Sequence, residues 1–451
     1  MDKNHTPQAT RYQPVIGLEV HVELKTQSKM FCRCSADYFG KAPNTHTCPV
    51  CLGLPGALPY PNKTAIEWCI KIAQALNCSI NEFSKFDRKN YFYPDLAKGY
   101  QISQYDLPFG KEGSIEVQKD KESKESKVIG ITRVHMEEDT GKLSHEEVHG
   151  EKVSLVDFNR SGVPLVEIVT EPDFENEYQV VQYLQKLQKI VRYLGVSNAD
   201  MEKGDMRLEP NISLRKVGEQ GLPKYKVEVK NINSFRFVEK AITFEINRHA
   251  ELLDAGETPA QETRGWNENK NATISQRSKE EAHDYRYFPE PDMPPVTFSK
   301  GEIESLKDQI GELPDEKQAR FEKEYSLSSA DAEILTREKE LADKFEKIVK
   351  AINPPDNITA KDVANVIINK KVEPEKALEE AKAGKKKDEI NPEELQKLIE
   401  EVLKENSQAV TDYKNGKENV IMFLLGMVMR KAGKKLDANL VKNRLQEDLQ
   451  K

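Results

Sequence analysis

The chain is 451 residues long, with 68 Lys and Arg against 76 Asp and Glu, a formal net charge of −8. That length exceeds one ordinary domain and predicts two or three. The net acidity excludes indiscriminate nucleic-acid binding through a wholly basic surface, though it leaves room for a local basic patch. No apolar run is long enough to span a bilayer, and the polar opening Met1-Asp2-Lys3-Asn4-His5 lacks the apolar core of a signal peptide. The expected location is the cytoplasm, where thiols stay reduced.

Residues 1–14 read as a flexible lead. From Val15 to Leu24 the residues alternate, and a strand points successive side chains to opposite faces. Ile16, Leu18, Val20, Val22 and Leu24 take one face; Glu19, His21 and Glu23 take the other. Alone, such a strand reads as a sheet with one solvated face, but the same style recurs downstream. Cys32, Cys34, Cys48 and Cys51 then crowd one segment as two pairs separated by a loop. Four thiolates at this spacing suit a structural zinc knuckle, closed to chemistry, although the first pair is C-x-C. Four buried reduced thiols are the alternative. Asn62 to Asn77 predicts a helix with Asn62 as N-cap and Cys69 in the core.

Between Ser84 and Gln104 basic and aromatic residues interleave, among them Arg88, Lys89, Tyr91, Phe92 and Tyr93. Phosphate and base contacts are one reading, core packing the other. Residues 110–127 suggest a hairpin. Val128 to Asp139 predicts a strand with Arg133, His135 and Glu137 on one face, ending in three consecutive carboxylates that repel unless a cation joins them. Ser154–Asn159 and Leu165–Thr170 predict two more strands, bringing Asp157, Asn159 and Glu167. A helix over 176–194 follows. Asp205–Arg215 is again polar-faced, with Arg207, Glu209 and Asn211 on one side, and Tyr225–Val229 pairs with it. Ser234 and the residues before it cap a helix over 235–253. The prolines of His283 to Asp292 mark a boundary. After Pro295 helical spacing dominates. Pro354-Pro355 and Lys385-Lys386-Lys387 divide the remainder, and helices near 393–413, 418–431 and 437–450 carry a basic rim of Lys414, Lys417, Arg430, Lys431, Lys434 and Lys435. A solvated surface is the default for those charges; a phosphate-backbone contact is the sharper option.

Repeated carboxylates on one sheet face suit hard cations such as Mg²⁺, and the neighbouring Arg and Lys suit the phosphates that accompany them. The pattern points to metal-dependent phosphoryl transfer. There is no G-x-x-x-x-G-K-[ST] segment, so an ATP site here is not of the P-loop type.

Four motifs taken together go further. Ile16-Gly17-Leu18-Glu19-Val20-His21, Asp87 to Asp95, His135-Met136-Glu137-Glu138-Asp139 and Asp284 to Asp292 closely resemble the B-subunit family of the bacterial aspartyl/glutamyl-tRNA(Asn/Gln) amidotransferases. The resemblance implies an α+β fold. A mostly antiparallel, glutamine synthetase-like catalytic cradle would occupy 1–294, a helical domain 295–392, and a small helical tail touching tRNA 393–451. It implies ATP-dependent phosphorylation of the side-chain carboxylate of Glu-tRNA(Gln) or Asp-tRNA(Asn), then displacement of phosphate by ammonia. The ammonia would come from glutamine in a separate amidase (glutaminase), the A subunit. A small linker protein, the C subunit, would complete a heterotrimer. Carried onto this chain, Glu19, His21 and Glu138 become the Mg²⁺ and phosphate centre and Arg88 and Lys89 hold phosphate charge. Glu137, Glu167, Arg133 and Asn211 bind the cofactor, and Cys32, Cys34, Cys48 and Cys51 match a zinc knuckle that some members carry. The implied cofactors are ATP, Mg²⁺ and structural Zn²⁺. The region around 350–392 is shorter than the family pattern leads one to expect. A phosphoryl-transfer enzyme for a small molecule and a zinc-bearing RNA-binding scaffold are the rival classes.

Overall fold

The computed structural model describes residues 11–123, 125–278, 285–353, 357–388, 391–433, 436 and 438–450. Most of the lead, His283-Asp284, Pro354-Pro355, Lys434 and Lys435 lie outside these. The strands in chain order are β1 (Tyr12–Glu23), β2 (Ser79–Ile80), β3 (Phe83–Ser84), β4 (Asp87–Asn90), β5 (Tyr100–Ser103), β6 (Gly110–Gln118), β7 (Ser126–Glu138) and β8 (Lys142–Val148). They continue with β9 (Glu151–Asp157), β10 (Pro164–Thr170), β11 (Met206–Lys216), β12 (Val227–Lys230), β13 (Glu262–Asn267), β14 (Ala272–Ser278), β15 (Arg286–Pro289) and β16 (Val296–Thr297). Three helices interrupt them: α1 (Lys63–Ala75), α2 (Glu177–Tyr193) and α3 (Phe235–Asp254).

Nine strands form one sheet in the order β14-β13-β12-β11-β1-β10-β7-β6-β2, antiparallel except for the β12–β13 pair. Its apolar face carries Ile16, Leu18, Val20, Val166, Ile168 and Leu208, all buried with side chains of α1, α2 and α3 in one core. The helices begin where local chemistry starts them. Asn62, Asn176 and Ser234 each accept a backbone N–H of the first turn. Gly195, at φ +70°, ends the second in a conformation that costs glycine little. A second small sheet, β15-β4-β5, lies against β7 and covers part of the polar face.

One expectation changes. The strand read over Ser154–Asn159 is β9 of a separate hairpin with β8, not part of the large sheet. Asp157 and Asn159 therefore brace the cysteine loop, accepting the backbone N–H of Asn44 and of His46 at 2.9 and 2.7 Å. Helix α4 (Lys300–Asp308) follows β16 and packs on α1, with Gln74 donating to the Ile303 carbonyl at 2.8 Å.

The chain forms two compact units, divided after Pro314. Among the described residues the second unit is built only of helices: α5 (Pro314–Tyr325), α6 (Ser329–Leu335), α7 (Lys339–Lys350), α8 (Ala360–Asn369), α9 (Pro374–Asp388), α10 (Pro392–Glu405), α11 (Ser407–Lys414), α12 (Val420–Ala432) and α13 (Ala438–Gln450). Helix α9 runs through Lys385-Lys386-Lys387 and ends at Asp388. Phe321, Phe345 and Val363 centre one core; Ile399, Leu424 and Leu445 centre another.

Candidate active site

The polar face of the large sheet gathers its chemistry by register. His21 on β1 stands directly opposite Glu167 on β10, and Glu167 stands opposite His135 on β7. The Nε2 of His21 is 3.5 Å and that of His135 3.3 Å from Oε2 of Glu167. Glu137, two residues beyond His135 and hence on its face, places Oε1 3.4 Å from His135 Nε2. The small sheet closes over this row. Ser103 donates to Glu137 at 2.7 Å, Gln101 at 3.0 Å, and the Lys89 ammonium stands 3.4 Å away.

The electrostatics follow from burial and company. Burial alone would lower the histidines, but Glu167 and Glu137 outweigh it; His21 is raised and His135 is raised to about 9. Burial likewise opposes charge on Glu167 and Glu137. His135 and His21 nevertheless hold Glu167 well below the usual carboxylate range, and Lys89 draws Glu137 down.

Two residues before His21 on β1, Glu19 accepts from Asn211 at 3.1 Å and meets Glu209 and Glu228 of the next two strands, β11 and β12, both bound by Lys230. Two donor sets result, His21–Glu137–Glu167 and Glu19–Glu209–Glu228, each with ligand atoms within 4.8 Å of one another. Oxygen-rich sets, one of them with an imidazole, fit a hard divalent cation. Beside Glu19 and Asn211 opens a cavity of about 330 Å³ walled by Val15, Leu18, Val169 and Tyr225.

Not every expected residue arrives. Glu138 points away from Glu137, where Lys98 pairs with it and the Ile102 N–H donates to it at 2.9 Å. It does not join Glu19 and His21. Arg88 likewise faces away from Lys89, forked onto Glu290 at 2.7 and 2.8 Å and lying over the Tyr100 ring. The reason is the same in both cases: neighbours on a strand take opposite faces. Arg133 reaches only the edge, 3.9 Å from Glu167. The third carboxylate of the acidic run, Asp139, pairs with Arg207 and Arg160. Side-chain cations thus relieve the repulsion expected there. Beside it Glu23 is raised by burial and by Asp139, and accepts from the Tyr38 hydroxyl at 3.0 Å.

Sequence reasoning gives Gln101, Ser103, Glu228 and Lys98 no individual role in the centre. The period-two spacing of Gln101 and Ser103 was the available signal.

The four cysteines come together. All Sγ atoms lie within 4.8 Å of one another, and those of Cys48 and Cys51 are 3.9 Å apart. A tetrahedron with Zn–S bonds of about 2.3 Å has edges of roughly 3.8 Å, so the set fits. Lys29, fully buried, sets its ammonium 3.7 Å from Cys51 Sγ and 2.7 Å from the His46 carbonyl. Hydrogen bonding from Cys32 and the charge of Lys29 help hold Cys51 down at about 5. The cluster abuts Gly162, whose φ of +85° turns the chain into β10.

The comparisons with known proteins agree with this architecture. Residues 14–304 match the description "GatB/GatE catalytic domain" and residues 333–449 match "GatB domain". Proteins named as B subunits of aspartyl/glutamyl-tRNA(Asn/Gln) amidotransferase are similar along almost the whole chain. That of Thermotoga sp. (strain RQ2) is 46% identical, covering 98% of this chain and 99% of the relative. Those of Thermoanaerobacter pseudethanolicus and Carboxydothermus hydrogenoformans are 44% and 43% identical, each over 98% of this chain and 100% and 99% of the relative. No helix among the described residues is long and apolar enough to cross a membrane. With both halves matched and such identity end to end, the chain belongs to the GatB/GatE family.

Proposed function

We infer that this chain is the B subunit of a tRNA-dependent amidotransferase, the protein that activates and amidates the aminoacyl side chain. ATP gives its terminal phosphoryl group to the side-chain carboxylate of Glu-tRNA(Gln), Asp-tRNA(Asn) or both. Ammonia then attacks the acyl phosphate, phosphate leaves with the bond pair, and the amide remains. A free carboxylate is a poor electrophile, and phosphorylation supplies the leaving group. The observation that carries the reading is the row His21–Glu167–His135–Glu137 under Lys89. It combines hard-cation ligands with a fixed cation where phosphoryl charge would develop.

In this reading His21, Glu137 and Glu167 hold Mg²⁺, with Glu19 and Glu209 able to hold another. Bound there, Mg²⁺ supplies neutralisation of the phosphoryl oxygens. Lys89 steadies the transferring phosphoryl group. Asn211 orients Glu19 at the cavity that would receive the nucleotide. Arg133 lends charge from the edge. Glu138 and Arg88 act from behind, fixing β5 and β4 through Lys98 and Glu290. Zn²⁺ on Cys32, Cys34, Cys48 and Cys51 would lock the cysteine loop. A glutamine synthetase-like cradle, a helical region after it and a tRNA-touching tail from 393 complete the assignment.

The relatives are named as one subunit among several, which supports partners for this chain. These are an amidase that releases ammonia from glutamine and a small linker protein, the A and C subunits of a heterotrimer. The complex acts in the cytoplasm as a glutamine-hydrolysing carbon–nitrogen ligase. The test is reconstitution of this chain with those two proteins, ATP, Mg²⁺, glutamine and either charged tRNA. Gln-tRNA or Asn-tRNA forming only when this chain is present is the expected result. An assembled complex that makes neither overturns the reading.

A further inference from the structure

Arg207 of β11 stands directly opposite His21 of β1, on the same polar face. Among the described residues its ion-pair partners are nevertheless Asp139 and Glu23, not Glu167 of the His21 row. Nη2 pairs with Asp139 and lies 3.8 Å from Glu23 Oε1. The buried Nε has no hydrogen-bond partner, so the tip of the side chain carries the hold. Both carboxylates are buried and fixed. The Asp139 side chain accepts the Thr140 N–H, its N–H donates to the Val163 carbonyl, and its carbonyl accepts the Gly162 N–H, each at 2.8 Å. Glu23 accepts the Tyr38 hydroxyl at 3.0 Å. The other cation beside Asp139, Arg160, is anchored separately on the Thr140 and Gly141 carbonyls at 3.0 and 2.8 Å.

We propose that Asp139 and Glu23 are positioning residues: they tether the Arg207 guanidinium off the His21–Glu137–Glu167 set, which keeps its negative charge for a divalent cation. This rests on the reading of that set as a cation site. Arginine is always charged, and its side chain is long and flexible. Register roots Arg207 beside His21, so only the tether at its tip decides where the charge rests. Released, the tip has Glu167 on the far side of His21 and Glu209 two residues along β11 as alternative partners. Both carboxylates belong to the donor sets. A guanidinium on either takes lone pairs that a metal needs and sets a like charge beside it. Tyr38 lies between Cys34 and Cys48, so the cysteine loop braces the same tether.

The experiment titrates the full heterotrimer with Mn²⁺ and counts the free ion by electron paramagnetic resonance. Wild type is compared with Glu23→Gln/Asp139→Asn and with the same pair carrying Arg207→Met. The amides keep the shape of both side chains and the acceptors for Tyr38 and Thr140. The pair should weaken Mn²⁺ binding about tenfold, and adding Arg207→Met should restore it to within roughly twofold of wild type. Wild-type affinity in the pair overturns the proposal. Weak binding that Arg207→Met does not restore also overturns it, because the carboxylates then act as ligands or as packing. Melting curves and zinc content report folding. If the pair does not fold, the triple variant decides alone: wild-type affinity supports the tether and weak binding overturns it. Amide formation by wild type is assayed alongside. Mn²⁺ bound without amide overturns the function inferred above and not the tether; no Mn²⁺ bound overturns the tether.

Discussion

His21 and Glu167 face each other directly across β1 and β10, with Nε2 3.5 Å from Oε2. Two residues far apart in the chain become one acid–base unit because the two strands pair in this register and no other. A slip by one residue would turn Glu167 into the apolar core.

That unit leans on His135, which touches both Glu167 and Glu137. His135→Gln should weaken Mg²⁺ without removing a proposed ligand. The expected change is a rise of about 10- to 100-fold in the Mg²⁺ concentration that half-saturates phosphorylation. A titration showing the wild-type midpoint would remove His135 from this supporting role.

Lys89 and Arg88 separate by face. Lys89→Met removes the cation over Glu137 and should lower phosphorylation by roughly 10²- to 10³-fold. Arg88→Met breaks the Glu290 fork instead and should lower the melting temperature while phosphorylation survives. Rate and melting measured on both variants check the contrast; the opposite pattern contradicts the face assignment.

The cysteine cluster predicts one zinc per chain in protein purified under reducing conditions, read by elemental analysis. Stripping it should lower the melting temperature by roughly 5–10 °C, because the cluster holds the turn at Gly162. Lys29→Met removes the buried cation beside Cys51 and should loosen zinc under a competing chelator.

Away from the centre, Glu245 of α3 is fully buried. Burial opposes its charge, but the His249 ring 3.0 Å away and hydrogen bonds from Arg248 and Thr273 win and bring it down to about 2. A carboxyl depressed in the fold contributes stability above its unfolded value, near 4.3, and loses it as pH falls through about 2. Glu245→Gln should therefore cost about 3 kcal/mol at neutral pH and flatten the loss of stability between those two pH values. Denaturant melts at pH 7, 4.5 and 3 test this; parallel curves for both proteins would refute it.

Much was legible in the sequence. Alternation in Val15–Leu24 and Asp205–Arg215 follows from strand geometry, so the apolar sides that became core could be named residue by residue. Asn62 and Ser234 announced their helices because a cap acts within one turn. The cysteine spacing likewise announced a cluster. The motifs carried the family, but adjacency in a motif misled on faces. Arg88 beside Lys89, and Glu138 beside Glu137, were grouped as partners, yet each pair straddles its strand. Period two says which residues of one strand share a side. It does not say which strands will be neighbours, nor that a small sheet will bring Gln101 and Ser103 down onto Glu137. Those choices rest on long-range pairing and on the closure of one layer over another. Only the tertiary structure made them, because the energy that selects a register is the burial of whole faces rather than any local preference.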